Sequence, residues 1–152
     1  MKCFIFFLIT VIGVEGICRA GVGGLPPECF KTLQGASRFR SIHTAAEIPT
    51  AIVALCADGN GRLADPGEPW AATCVRGPDD PYHRLIWAVT DGNYYVVHYE
   101  EGGIAHNYLV LVTRLRLGDD KPSFVWRAQS AGGGMKDYNA FLDALRTNKL
   151  RY

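Results

Sequence analysis

Between residues 85 and 130 apolar side chains recur at every second position, and this alternation is the feature that most constrains the fold. Four segments rich in β-branched and aromatic residues follow one another here: 85–90, 94–101, 104–116 and 123–130. A period of two is typical of strands that bury one side. The links between them include Asp91-Gly92 and Gly102-Gly103, which favour tight hairpins. The pattern predicts a four-stranded antiparallel β-meander.

Segments with helical spacing flank the predicted sheet. Residues 28–39 form a possible short helix, and residues 44–59 a longer one in which Thr44 and Glu47 have the spacing of a capping box. Residues 135–150 carry an apolar stripe with a helical period. We therefore expect an α+β fold with N-terminal helices, a four-stranded antiparallel meander and a C-terminal helix packed on the sheet.

The first twenty residues resemble a secretory signal peptide. An apolar run at 3–14 follows Lys2, and small residues precede a cleavage point after Ala20. A run of this length is too short to span a bilayer, which needs about 20 apolar residues. The expected organisation is a signal peptide at 1–20, a flexible leader at 21–27 and a single α+β domain at 28–152. The predicted location is periplasmic or extracellular, with no membrane span after cleavage.

Charge excludes two classes of partner. The whole chain has 16 Lys and Arg against 15 Asp and Glu. Removal of Lys2, Arg19 and Glu15 with the signal peptide leaves 14 of each sign. A neutral domain has no electrostatic attraction to nucleic acid or to an anionic membrane surface, so we expect neither partner.

Three cysteines remain after the predicted cleavage. They are Cys29, Cys56 and Cys74. Export permits a disulfide, and an odd number leaves one thiol over. Because Cys56 lies between the other two in sequence, we expect it to pair with either Cys29 or Cys74. The spacings match no zinc motif, and we expect neither a metal nor a cofactor.

A two-residue turn at Gly102-Gly103 would fix the side on which each hairpin residue lies. It would oppose Tyr99 to His106 and direct His98 to the other side of the sheet, which argues against a metal site shared by the two histidines. The closing helix would then pack against Trp87, Leu109 and Leu111. The opposite, amphipathic side would carry the aromatic and polar residues Tyr95, Tyr99, Glu101, His106 and Tyr108.

The preferred hypothesis for function is a small exported binding protein, of the inhibitor or immunity type, that contacts another protein. Tyrosines on a sheet surface suit such contacts because they add apolar area and a hydroxyl group, whereas no nucleophile motif of the G-x-S-x-G kind is present. One alternative is a small secreted hydrolase that uses His106 or His98 with a neighbouring carboxylate, and another is a structural domain of the cell envelope. The predicted binding residues are Tyr95, Tyr99, Glu101, Gly102, Gly103, His106 and Tyr108.

Overall fold

The computed structural model describes residues 25–75, 77 and 79–151, and confirms the α+β class. All six strands of the sheet are antiparallel and lie in sequence order. The strands are β1 (Arg40–Ile42), β2 (His83–Thr90), β3 (Tyr94–Glu101), β4 (Asn107–Arg114), β5 (Phe124–Ser130) and β6 (Leu150–Arg151). The helices are α1 (Pro27–Leu33), α2 (Thr50–Cys56) and α3 (Tyr138–Arg146), and short 3₁₀ turns lie at Ala36–Arg38 and Ala45–Glu47.

The predicted meander corresponds to β2–β5. The prediction of four strands was wrong because it missed the two edge strands, β1 and β6. β1 has three residues and β6 has two, which is too short for an alternating pattern to be visible in the sequence. β1 pairs with the end of β2, and β6 pairs with the end of β5. The predicted signal peptide lies outside the described residues.

The helices are shorter than predicted. The capping box at Thr44 and Glu47 is confirmed, but it begins a 3₁₀ turn, and α2 starts only after Pro49. Pro49 has an extended backbone (ψ 137°) and serves as the N-cap of α2. At the other end of the chain, the Asp137 side chain accepts a hydrogen bond from the Ala140 amide, so α3 begins at Tyr138.

Two hydrophobic clusters cover the two sides of the sheet. We call these the α3 side, which also receives α1, and the α2 side. The α3 side is built around the fully buried Leu33, Val96, Val110, Val112 and Phe141, together with Trp126. The α2 side is built around Ile52, Leu85, Val97 and Leu111, together with Cys56 and Tyr99. The sheet is therefore buried on both sides, which explains why β3 is apolar at consecutive positions.

The turn between β3 and β4 differs from the prediction and changes the side on which β4 residues lie. Glu101 pairs with Asn107, so the loop has five residues, 102–106, instead of two. This loop places Leu109 and Leu111 opposite odd-numbered residues of β3, on the α2 side. The predicted contact of α3 with Trp87 is confirmed through Phe141, but its predicted contact with Leu109 and Leu111 was wrong.

The hairpin between β2 and β3 has the predicted odd register, with Thr90 opposite Tyr95. A β-bulge between Leu85 and Trp87 then shifts the pairing by one residue. Trp87 stays beside His98, as predicted, whereas Leu85 pairs with Tyr99 and lies on the α2 side. Because of the bulge, the β2 residues that precede it lie on the side of the sheet opposite to the predicted one.

The expected disulfide is absent, and this prediction was wrong. Cys29, Cys56 and Cys74 are all free thiols. Cys29 lies in the α3-side cluster and Cys56 in the α2-side cluster, so the sheet separates them. Cys74 is exposed, whereas Cys56 is only 1% exposed. Burial raises the pKa of the Cys29 and Cys56 thiols to about 12, which keeps both in the protonated, unreactive form.

Within the described part of the chain, no helix has both the length and the apolar character needed to cross a membrane.

Candidate functional site

Two loops meet backbone to backbone at the open end of the β3–β4 hairpin. The Gly102 amide donates a hydrogen bond to the Tyr82 carbonyl oxygen (2.8 Å). A Cβ atom at Gly102 would lie 2.9 Å from both the Ala71 carbonyl carbon and the Ala72 Cα, and would overlap the Ala71 carbonyl oxygen even more severely. Gly102 is therefore required for close approach to the 70–75 loop, which explains a glycine that the sequence suggested was a turn residue.

These loops expose large apolar side chains. Ile104 is 97% exposed and Val75 is 87% exposed. The Trp70 ring lies edge-on to the His106 imidazole, with 5.3 Å between ring centroids, and so joins the two loops a second time. We call the exposed surface of residues 70–75 and 102–106 the paired-loop surface.

His106 is oriented by a buried carboxylate. Its Nε2 lies 2.7 Å from Oε2 of Glu100, whose side chain is only 5% exposed. Arg84 binds the other carboxylate oxygen through Nε at 2.6 Å and Nη2 at 2.5 Å. Because a carboxylate accepts hydrogen bonds, Nε2 of His106 donates. In the neutral ring Nδ1 is then the acceptor, and it has no partner among the described residues.

Aromatic rings complete this group. The Arg84 guanidinium lies over the Trp70 ring (4.7 Å to the centroid), and the Tyr108 ring lies 4.7 Å from the His106 ring. We call Trp70, Arg84, Glu100, His106 and Tyr108 the His106 cluster. The ion pair contributes little net stability, because the buried Glu100 carboxylate loses its hydration while the Arg84 side chain is still 30% exposed. The arrangement is better explained by the fixed orientation that it gives to His106.

His98 has a different role from His106, although both lie on the α3 side. Its ring is fully buried, with Nδ1 donating to the Leu109 carbonyl (2.8 Å) and Nε2 accepting from the Met135 amide (2.9 Å). Burial lowers the pKa of His98, so the ring is held neutral. Trp87 Nε1 donates to the Met135 carbonyl (2.7 Å), and together these bonds fasten the glycine-rich 131–135 segment to the sheet. With both nitrogens occupied, His98 is a structural residue.

The predicted binding residues do not share one surface. Tyr108 and His106 belong to the α3 side with Glu100, whereas Tyr95 and Tyr99 pack on the α2 side. Tyr99 is 3% exposed, and burial raises its pKa to about 12. The predicted pairing of His106 with Tyr99 was wrong because it assumed the two-residue turn. His106, Gly102 and Gly103 do lie together, in the β3–β4 loop; whether any of these residues binds a partner stays a prediction.

Glu101 lies on the α2 side beside two polar neighbours. The Asn107 side-chain amide donates to Oε2 (3.3 Å), and His83 Nε2 lies 3.6 Å from Oε1. His83 is itself oriented by the Cys56 carbonyl, which accepts from Nδ1 at 2.7 Å. In the part of the chain that the structure describes, no group of three or more His, Cys, Asp or Glu side chains has an arrangement suited to a metal ion.

Sequence reasoning missed several residues of the site. Arg84 becomes the partner of Glu100 only when the β-bulge in β2 is known, since the bulge sets which residues oppose each other. Trp70 and Val75 belong to a turn-rich loop that carries no periodic signal. Ile104 was assigned to a strand, where it would have been paired. If the link between the two strands is given five residues (102–106), the alternation of side chains places Tyr108 directly opposite Glu100.

Comparison of the chain with models of protein families, with curated proteins and with solved structures gives no match.

Proposed function

We propose that this chain is an exported binding protein, of the inhibitor or immunity type, that contacts another protein through the paired-loop surface. Export rests on the signal-like first twenty residues. The observation that carries the proposal is the exposure of Ile104 (97%) and Val75 (87%) on loops that are held backbone to backbone.

The physical argument concerns entropy and solvation. An exposed isoleucine or valine gains free energy when a partner removes it from water, at about 25 cal/mol per Å² of apolar surface. A flexible loop would lose much of this gain in being ordered. Here the contact between Gly102 and Ala71 and the ring contact between Trp70 and His106 hold the two loops together at these four residues. The neighbouring Trp70 belongs to the residue types that are enriched at the centre of protein interfaces.

The test is affinity capture with the domain lacking residues 1–20, from the envelope fraction of the source cells and of neighbouring strains. We expect a stoichiometric partner that the double substitution Ile104→Ser/Val75→Ser no longer retains. If the two side chains are hot spots, the loss is about 2 kcal/mol or more, or roughly a thirtyfold rise in Kd.

Leu117 provides a matched control. It is 101% exposed, in the β4–β5 link outside the paired-loop surface. Leu117→Ser should leave capture unchanged. The proposal is wrong if the double variant still captures the partner with unchanged affinity, or if Leu117→Ser weakens capture equally.

A second candidate function is hydrolysis with His106 as general base. The observation that favours it is the 2.7 Å contact of His106 with the buried Glu100. This contact orients the ring and makes Nδ1 the nitrogen that would take a proton from water. If the chain is a hydrolase, His106→Ala and Glu100→Gln should both abolish turnover of ester or peptidoglycan substrates. His43→Ala should retain it, because the His43 ring makes no contact with a carboxylate of this cluster. Equal turnover by all three variants would exclude His106 as the base.

A further inference from the structure

A groove of about 530 Å³ lies on the edge of the sheet, away from the paired-loop surface. It follows the edge of β2 where β1 ends, since β1 pairs only with Ala88, Val89 and Thr90. The start of α3 forms the opposite wall. Its volume is within the range of small-molecule sites, about 300–1,000 Å³.

The floor of the groove is aromatic and offers little hydrogen bonding. It is formed by Phe39, Trp87 and Tyr138, with the Phe39 and Tyr138 rings 5.1 Å apart. The polar atoms of these rings are already used: Trp87 Nε1 donates to the Met135 carbonyl, and the Tyr138 hydroxyl donates to the Leu33 carbonyl (2.7 Å). Burial also raises the pKa of Tyr138, which keeps the hydroxyl protonated. The rings therefore present apolar surface to an occupant.

The rim of the groove offers donors that the protein itself leaves unused. The Lys136 side chain is 84% exposed, and among the described residues its Nζ has one carboxylate neighbour, Asp137 at 3.9 Å. The Asp137 carboxylate accepts from the Ala140 amide at 2.8 Å. The Ser41 hydroxyl and the His43 ring also line the groove, and neither makes a hydrogen bond with another described residue. The three rings are tilted to one another, Phe39 and Tyr138 by 35° and Trp87 and Tyr138 by 76°. An aromatic floor beside an ammonium group favours an aromatic ligand that carries an anionic group.

We propose that this groove binds a small planar aromatic molecule that bears a carboxylate, with its ring against Trp87 and Phe39 and its carboxylate at Lys136. The site is independent of the paired-loop surface and of the proposed protein partner. Trp87 lines the groove and also donates the hydrogen bond to the Met135 carbonyl. An occupant would therefore contact the residue that fastens the 131–135 segment to the sheet.

The experiment is a titration of the ¹⁵N-labelled protein with 2-naphthoate, followed by the indole N–H signals. We expect a saturable shift of the Trp87 signal, while Trp70 and Trp126, which lie outside the groove, do not shift. The neutral 2-naphthalenemethanol has the same ring without the charge, and it should bind about two- to fivefold more weakly, the range expected for an exposed ion pair.

Three substitutions test the charge assignment without disturbing the core. Lys136→Met should remove the preference for 2-naphthoate over the alcohol, and Lys149→Met, beyond the far end of α3, should not. Asp137→Asn should raise the affinity for 2-naphthoate alone, because asparagine still caps α3 but no longer repels the carboxylate. No saturable shift at Trp87, or a preference for 2-naphthoate that survives Lys136→Met, would overturn the proposal.

Discussion

The contact between Gly102 and the 70–75 loop yields a sharp prediction for Gly102→Ala. The added Cβ would be 2.9 Å from two backbone carbons and closer still to the Ala71 carbonyl oxygen, whereas ordinary contacts are at 3.4–4 Å. Backbone atoms cannot rotate away as a side chain can, so the two loops must separate. Overpacking of this kind costs about 1–3 kcal/mol, and loss of the hydrogen bond from Gly102 to Tyr82 adds about 0.5–1.5 kcal/mol.

The substitution should therefore destabilise the protein by about 1.5–4.5 kcal/mol. For a chain of 152 residues this lowers Tm by roughly 3–18 °C, measurable by circular dichroism or calorimetry. Gly59→Ala is the matched control, since a Cβ added at Gly59 would have no neighbour within 4 Å and the φ of this residue is not positive. That variant should have an unchanged or slightly higher Tm. The reasoning is refuted if the two substitutions change Tm equally.

Two further predictions concern the two sides of the sheet. Burial lowers the pKa of His98, so the unfolded chain takes up a proton at this ring near pH 6.5 while the native state does not. The free energy of unfolding should therefore decrease as pH falls below about 6.5, by at most about 1.4 kcal/mol per pH unit. His98→Gln keeps a donor and an acceptor and should flatten that part of the profile in urea titrations from pH 8 to 5; equal slopes for both proteins would contradict the assignment. On the α2 side, Leu111→Ala should lower the free energy of unfolding by about 2–5 kcal/mol because Leu111 is fully buried. The control Leu117→Ala should change it by no more than about 0.5 kcal/mol. Similar losses for the two variants in urea unfolding would show that Leu111 is assigned to the wrong side.

Local patterns predicted the parts of the fold that local forces determine. The strand 94–101 was predicted with its observed bounds, and the capping box of Thr44 and Glu47 was found where its spacing placed it. Both depend on residues within a few positions of each other. The edge strands could not be predicted in this way because two or three residues carry no period.

The site was harder to predict because one long-range contact controls it. Glycine at 102 is consistent with a tight turn and equally with close backbone packing, and the sequence alone does not distinguish the two. The observed reason is the approach of Ala71, about thirty positions earlier. A change of loop length from two residues to five moves every β4 side chain to the other side. Tyr108 therefore lies on the α3 side and Leu109 on the α2 side, the reverse of the prediction. For the same reason His106 contacts Glu100 instead of Tyr99.

The sequential order of the strands also has a consequence for how the protein folds. The links within β2–β5 are short, with five residues (102–106) between β3 and β4, whereas 40 residues (43–82) separate β1 from β2. Closing the longer loop costs roughly 1.8 kcal/mol more, since each doubling of length adds about 0.6 kcal/mol. We therefore expect the central hairpins to form before the two edge strands dock. When they dock, β1 covers residues 88–90 of β2 and β6 covers residues 129–130 of β5, which shortens the open edges that strands of other molecules can reach.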